Sequence, residues 1–109
     1  MTHYRWMTLA QLEHWLPAAR DQGVSARARS RGQFVDQFRR VKGRWQDLPD
    51  FWWRKRQGFV ARHLEQAQRS GELLYDPRDK SYSRRGLALL MWAFDPRWVA
   101  EGQWYLMRA

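Results

Sequence analysis

The chain has 109 residues, 44% of them hydrophobic and 28% charged, and its twenty basic residues outnumber eleven acidic ones to leave a net charge of +9. That length supports one domain around one core, and the composition excludes a disordered or fibrous chain. With no cysteine, disulfides, thiolate metal sites and cysteine nucleophiles are excluded as well.

The opening MTHYRWMTLAQLEHW has no long apolar region, and the longest apolar run, Leu87 to Phe94, is only eight residues. No signal peptide or membrane span is expected, and a cytoplasmic protein is. A first helix is predicted after Thr8, with Gln11 placed for a capping box and Leu9, Leu12 and Leu16 on one face beside Trp15. Pro17 should kink or interrupt it, and Gly23 should close the turn that follows. A second helix is predicted from about Arg31 to Lys42, capped by Ser30 with Gln33 completing the box. Its apolar stripe is Phe34, Val35, Phe38 and Val41, and Gly43 ends it.

The third and longest helix is predicted from Pro49-Asp50, with Asp50 as cap, to about Arg69 ahead of Gly71. ELLYDPRDKSYS reads as a loop or a short hairpin around Asp76-Pro77-Arg78-Asp79. Ser83 should cap a fourth helix, Arg84 to Phe94, apolar nearly all round and so part of the core. Asp95-Pro96 stops it and caps a short turn through Glu101, while the tail QWYLM fits helix or edge strand equally. The expected fold is mainly α: a compact single domain over 1–109, a bundle of about four helices with or without the hairpin.

On a helical wheel of the third helix, Phe59, Trp52, Ala67, Val60, Trp53 and Leu64 share an arc of roughly 140°. These aromatics therefore read as core, with Met91 and Trp92 expected to pack on Trp52 and Phe59. Arg56 and His63 fall inside the same arc and need buried partners. On the opposite side Lys55, Arg62 and Arg69 recur every seven residues as one cationic stripe. Gly58 lies beside it, at a typical cost of about 1 kcal/mol to the helix, and would admit either a close backbone or phosphate or a neighbouring helix.

Charge points to the partner class. Seventeen arginines stand against three lysines, and arginine forks phosphate and carboxylate where lysine does not. Between Arg20 and Arg44 eight basic residues meet only Asp21 and Asp36. A net charge this positive on a small domain predicts attraction to nucleic acid, acidic protein surfaces or anionic membranes, of which nucleic acid or an acidic protein is the expected partner. The candidate phosphate contacts are Lys55, Arg62, Arg69, Arg27, Arg29, Arg31, Arg39, Arg40, Lys42, Arg44, Arg84 and Arg85. Arg84 and Arg85 open the fourth helix against its dipole, an arrangement eased by an anion or by ordinary surface tolerance.

Chemistry-bearing motifs are scarce. His3, His14 and His63 have no metal-binding spacing, no paired carboxylates or phosphate loop are present, and no serine sits in an elbow motif. No catalytic residue, metal or cofactor is expected. AARDQGVSARARSRG resembles the turn of a helix-turn-helix through Ala19, Gly23, Val24 and Ser25, but Arg29 and Gly32 occupy the two positions that a recognition helix keeps apolar. A solvated basic loop is the preferred reading of Arg27, Arg29 and Arg31.

WWRKRQGFVARHLEQ followed by RRGLALLMWAFDP resembles a family of small phage and mobile-element proteins. The likeness is carried by Trp53, Lys55-Arg56, Phe59, Arg62-His63-Leu64, Gln66, Arg84-Arg85 and Leu87 to Ala93. It covers about half of the chain and implies a phage-like origin, with residence in the host cytoplasm, but no activity. Two functions are thus expected in order: a non-enzymatic DNA- or RNA-binding protein gripping the phosphate backbone, or an accessory protein docking on a host or viral protein. Eight tryptophans exceed what one small core must use, so Trp6, Trp98 and Trp104, outside the clear helices, are the anchors for the second.

Overall fold

The structure, a computed structural model, describes residues 3–101 and 105–106. Strand β1 (His3–Tyr4) leads to α1 (Leu9–Asp21), α2 (Phe34–Arg40), a short 3-10 turn at Trp45–Asp47 and the long α3 (Asp50–Ser70). The hairpin strands β2 (Tyr75–Asp76) and β3 (Ser81–Tyr82), then α4 (Arg84–Leu90), α5 (Arg97–Glu101) and β4 (Tyr105–Leu106) complete it. The fold is mainly helical, and its radius of gyration of 13.1 Å matches the ~13 Å expected for a compact chain of this length.

Helix α1 starts as its sequence dictates. Gln11 N–H donates to Thr8 Oγ1 at 3.1 Å while Thr8 N–H donates to Gln11 Oε1 at 2.9 Å. Pro17, expected to interrupt the helix, does not: α1 runs unbroken to Asp21. Pro17 is exposed, whereas Leu12, Leu16 and Ala19 are buried on the other side. Burial of that face, worth roughly 1.5–3 kcal/mol per large side chain, holds the helix through the missing hydrogen bond.

Helix α2 is shorter than predicted. It spans Phe34–Arg40 with Gln33 at the cap, and Ser30 Oγ donates instead to the Ala26 carbonyl at 2.7 Å. Gly32 stands at φ +77°, a left-handed conformation no helix tolerates, so helical pairing begins only after it. The stretch 22–33 is a series of turns, and the helix-turn-helix resemblance ends there, because no recognition helix follows Ser25.

Helix α3 keeps its predicted length, although Pro49 and not Asp50 occupies the cap and no side chain bonds the first turn. Its end is local chemistry: Gly71 turns left-handed at φ +71° and Glu72 N–H reaches back to the Ala67 carbonyl at 3.0 Å. Helix α4 begins at the Ser83 cap, whose Oγ accepts from Gly86 N–H at 3.0 Å. It stops at Leu90, short of the predicted Phe94, because Ala93 adopts φ 59° and Phe94 N–H closes on the Leu89 carbonyl at 3.1 Å. The same closing bond ends α2 at Lys42-Gly43, where Gly43 N–H meets the Phe38 carbonyl at 2.9 Å.

The hairpin forms, pairing Tyr75 with Tyr82 and Asp76 with Ser81. The tail supplies an edge strand, β4, antiparallel to β1 with Tyr4 opposite Tyr105. Phe34, Phe38, Phe94, Leu12, Leu89, Leu90 and Val60 form the dry centre between α1, α2, α3 and α4. Trp92 stacks on Phe59 at 4.9 Å, as expected from the sequence, and also on Phe34 at 4.6 Å.

Gly86 makes this packing possible. A Cβ there would lie 2.3 Å from the Leu74 carbonyl oxygen, a backbone atom that cannot step aside. Gly86→Ala is therefore expected to destabilise the fold by roughly 1–3 kcal/mol, the usual cost of overpacking, read as a lower urea midpoint at unchanged slope.

Candidate nucleic-acid interface

The candidate surface is the outer face of α3, and its inner face explains why it points outward. Arg56 is 1% exposed, the largest fully buried side chain among the described residues. Its Nε donates to the Trp92 carbonyl at 2.6 Å, one terminal nitrogen to the Tyr4 carbonyl at 3.0 Å, and the other to Arg5 at 2.6 Å and Ala93 at 2.9 Å. The guanidinium carbon sits 3.7 Å over the Trp6 ring. Burial pushes the guanidinium pKa well below its ordinary value; four carbonyl acceptors favour the charged form in return. Arg56 thus ties α3 to β1 and to the turn after α4.

His63, about two turns further along, faces the same way. Its Nδ1 lies 2.9 Å from Arg85, its ring 4.1 Å from Phe59. Burial, then the neighbouring Arg85 and Arg62, lower its pKa, with Glu72 opposing. The neutral ring accepts a hydrogen bond from Arg85 at Nδ1. Arg85 also donates to Gln66 and, through Nε at 3.1 Å, to Glu72. This is a structural latch between α3, α4 and the loop after Gly71.

With that face turned in, Lys55, Arg62 and Arg69 project to solvent as the wheel predicted. Seven residues of helix separate each by about 10 Å. Arg69 is ion-paired with Glu65, whereas Lys55 and Arg62 have no ion-pair partner among the described residues. The Lys55 ammonium lies 5.4 Å from the Phe51 ring centre and 5.6 Å from that of Trp52. Gly58 admits no neighbouring helix: a Cβ there would meet only a guanidinium nitrogen of Arg62, at 3.2 Å. Because that neighbour is the tip of a flexible side chain, Gly58→Ala is expected to stabilise the fold by about 0.5–1 kcal/mol, seen as a rise in the urea midpoint. A concurrent loss of nucleic-acid affinity would identify Gly58 as the point of close approach.

The remaining candidates divide into two groups. Arg27, Arg31 and Lys42 are exposed without ion-pair partners among the described residues, and Arg20 and Arg54 share that state. The others are engaged: Arg29 Nε donates to the Val24 carbonyl at 2.8 Å, Arg39 pairs with Glu13 at 3.0 Å, Arg40 with Asp36 at 3.3 Å and Arg44 with Asp47 at 2.9 Å. Exposed pairs of this kind are worth about 0–1 kcal/mol and exchange readily with another anion. Arg84 and Arg85 open α4 with partners from elsewhere in the chain: Arg84 donates to the Gln22 carbonyl at the end of α1, and Arg85 pairs with the Glu72 carboxylate. In the first case a cation meets the negative end of a helix dipole, which is favourable.

The fold does not gather all twelve residues on one spot. Arg84 meets Gln22, beyond one end of α1, while Gly43 abuts Leu9 at the other. Thirteen residues of helix hold those ends about 20 Å apart. The sequence reading passes over Arg20, Arg54 and Phe51. For Phe51 and Arg54 the wheel held the signal, since both lie beside Lys55 and Arg62.

The tryptophans proposed as anchors are packed. Trp6 lies half-buried against Trp45, nearly parallel at 5.5 Å, and beneath Arg56. Trp98 is 8% exposed, edge-on to Phe94 at 5.4 Å with Arg5 over its ring. Trp104 falls outside the described residues. Every described tryptophan packs into the core or against it, so the core uses more of them than composition suggested.

A second buried polar centre lies away from α3. Asp95, 3% exposed, accepts from Tyr82 Oη at 2.7 Å and from Arg97 N–H at 3.0 Å, and pairs with the Arg97 guanidinium at 2.8 Å. Burial and then this bond raise the Tyr82 pKa far above its ordinary value. The carboxylate is fully engaged in fastening the hairpin to α5.

Fold and surface together define a small, basic, mainly helical protein whose longest helix presents cations outward. Among the described residues no helix is long and apolar enough to cross a membrane. No protein-family model matches the chain, and no curated protein or solved structure proved similar to it.

Proposed function

We propose that this protein binds nucleic acid without acting on it, gripping the phosphate backbone of DNA or RNA through an arginine and lysine face. One observation carries the reading: Arg20, Arg27, Arg31, Lys42, Arg54, Lys55 and Arg62 are exposed and have no ion-pair partner among the described residues. On a protein of net charge +9, such cations neutralise phosphates and release the counterions condensed on the nucleic acid, with a gain in entropy. The exposed pairs at Arg39, Arg40, Arg44 and Arg69 are weak enough to be recruited.

The likeness to small phage and mobile-element proteins supports adding a phage-type origin to this reading, with residence in the host cytoplasm as its corollary. Docking on a host or viral protein is the less supported alternative, because Trp6 and Trp98 are already committed to packing. The test is binding of labelled DNA and RNA at several salt concentrations, with protein freed of copurifying nucleic acid. Micromolar or tighter affinity that falls log-linearly with salt is expected, the slope counting phosphates at about 0.7–0.9 each. No binding at low salt would remove the reading.

A further inference from the structure

The described tryptophans are all packed, yet one large aromatic among the described residues is not. Phe51, in the first turn of α3, is 55% exposed. No fold requirement accounts for it, because the core face of that turn is already supplied by Trp52 and Trp53. The ring is nonetheless held in place, edge to face with Trp52 at 4.9 Å and with the Lys55 ammonium above it at 5.4 Å.

Its position on the helix matters most. At 100° per residue Phe51, Lys55, Gly58 and Arg62 fall within an arc of about 60°, and their backbone span is about 16 Å. An open aromatic ring, a lysine, a gap without a side chain and an arginine thus follow one another along a single exposed line. Neither cation has an ion-pair partner among the described residues. Asp50 and Glu65, the acids closest in sequence, lie at the two ends of this line and leave its length cationic.

We propose that this line takes a single strand of nucleic acid, one base stacked on Phe51 and the adjoining phosphates on Lys55 and Arg62. The proposal rests on the nucleic-acid reading above and specifies its substrate. A duplex hides its base faces in its own stack, so an exposed ring gains nothing from it beyond what the cations supply. A single strand offers a free base face to any aromatic surface, with little preference for sequence. Gly58, between the two cations, leaves room for the sugar–phosphate chain to lie against the helix. The chemistry used, a base face and phosphates, is common to single-stranded DNA and RNA.

The test compares wild type, Phe51→Ala and Phe51→Tyr by fluorescence anisotropy with labelled oligo-dT, oligo-U and a duplex of matched length. Helix content by circular dichroism confirms that each variant is folded. Phe51→Ala is expected to weaken single-strand binding by roughly five- to a hundredfold, the loss typical of one stacked base. Phe51→Tyr, which keeps a ring, should retain wild-type affinity, and duplex binding should change by less than about twofold if it uses phosphates alone. Single-strand affinity unchanged in Phe51→Ala would overturn the stacking proposal while leaving the phosphate grip intact. Equal losses on single strand and duplex would overturn it too, since stacking distinguishes the two. If wild type binds none of the three probes, the nucleic-acid reading itself fails, and the stacking proposal with it.

Discussion

Replacing Arg56 by methionine should cost the fold about 3 kcal/mol or more. The substitution keeps much of the side-chain volume but removes the donors to the Trp92, Ala93, Tyr4 and Arg5 carbonyls. Ala93 retains a bond from Met7 N–H at 2.8 Å, so it loses least. A buried carbonyl deprived of its donor typically costs about 1–3 kcal/mol, and the stacking over Trp6 is lost besides. Relief from burying a charge offsets part of this. Against a usual stability of about 5–15 kcal/mol the loss is large, and with a urea slope of roughly 1–3 kcal/mol/M the midpoint should fall by about 1 M or more. A shift below about 0.3 M at this slope would mean that water replaces the guanidinium and Arg56 is no clasp. Arg56→Lys should also be destabilising, because one ammonium cannot reach both β1 and the turn after α4 in the same fork.

Reversing charge at Lys55 and Arg62 together should weaken nucleic-acid binding at least tenfold at roughly 0.1 M salt, and should lower the salt slope by about 1.4–1.8. Both side chains are exposed and make no ion pair among the described residues that their loss would disrupt, so stability should stay within about 0.5 kcal/mol. The proper control carries the same change in net charge elsewhere. Arg78→Glu with Lys80→Glu, on the exposed tip of the hairpin, lowers the net charge equally but lies off α3. Weaker binding in the α3 double variant alone localises the phosphate grip. Equal weakening in both would show that attraction is diffuse, a property of net charge and not of this face.

Most of α3 was legible in the sequence because its determinants are local. Its apolar arc, the outward row of Lys55, Arg62 and Arg69, and the glycine stop at Gly71 follow from a 3.6-residue period and one left-handed residue. The Thr8 and Ser83 caps are legible for the same reason, since each bonds a backbone N–H three residues away. That Arg56 points inward could be read from the wheel as well. Its partners could not, for they come from residues 36–52 positions distant and include the carbonyls of a turn at Ala93 that nothing in the local sequence announces.

The other differences have two physical origins. Pro17 sits inside an intact helix because burial of Leu12, Leu16 and Ala19 outweighs a local cost of about 3 kcal/mol. Helix α2 waits for Gly32 to pass and α4 stops early at Ala93, each at a residue of positive φ. Packing decides the candidate surface as well. Net charge, the cationic stripe and the wealth of aromatics belong to the sequence by itself, because counting and helical periodicity need no neighbours. Which cations remain unpaired, and which aromatic remains open, was decided only by the tertiary structure. Ion pairs such as Arg39 with Glu13, the donation of Arg84 to Gln22 and the packing of every described tryptophan depend on segments meeting in space. Those meetings engage several of the candidate cations in ion pairs or carbonyl contacts, most of them still exposed, and leave Phe51, Lys55 and Arg62 open together on one helix.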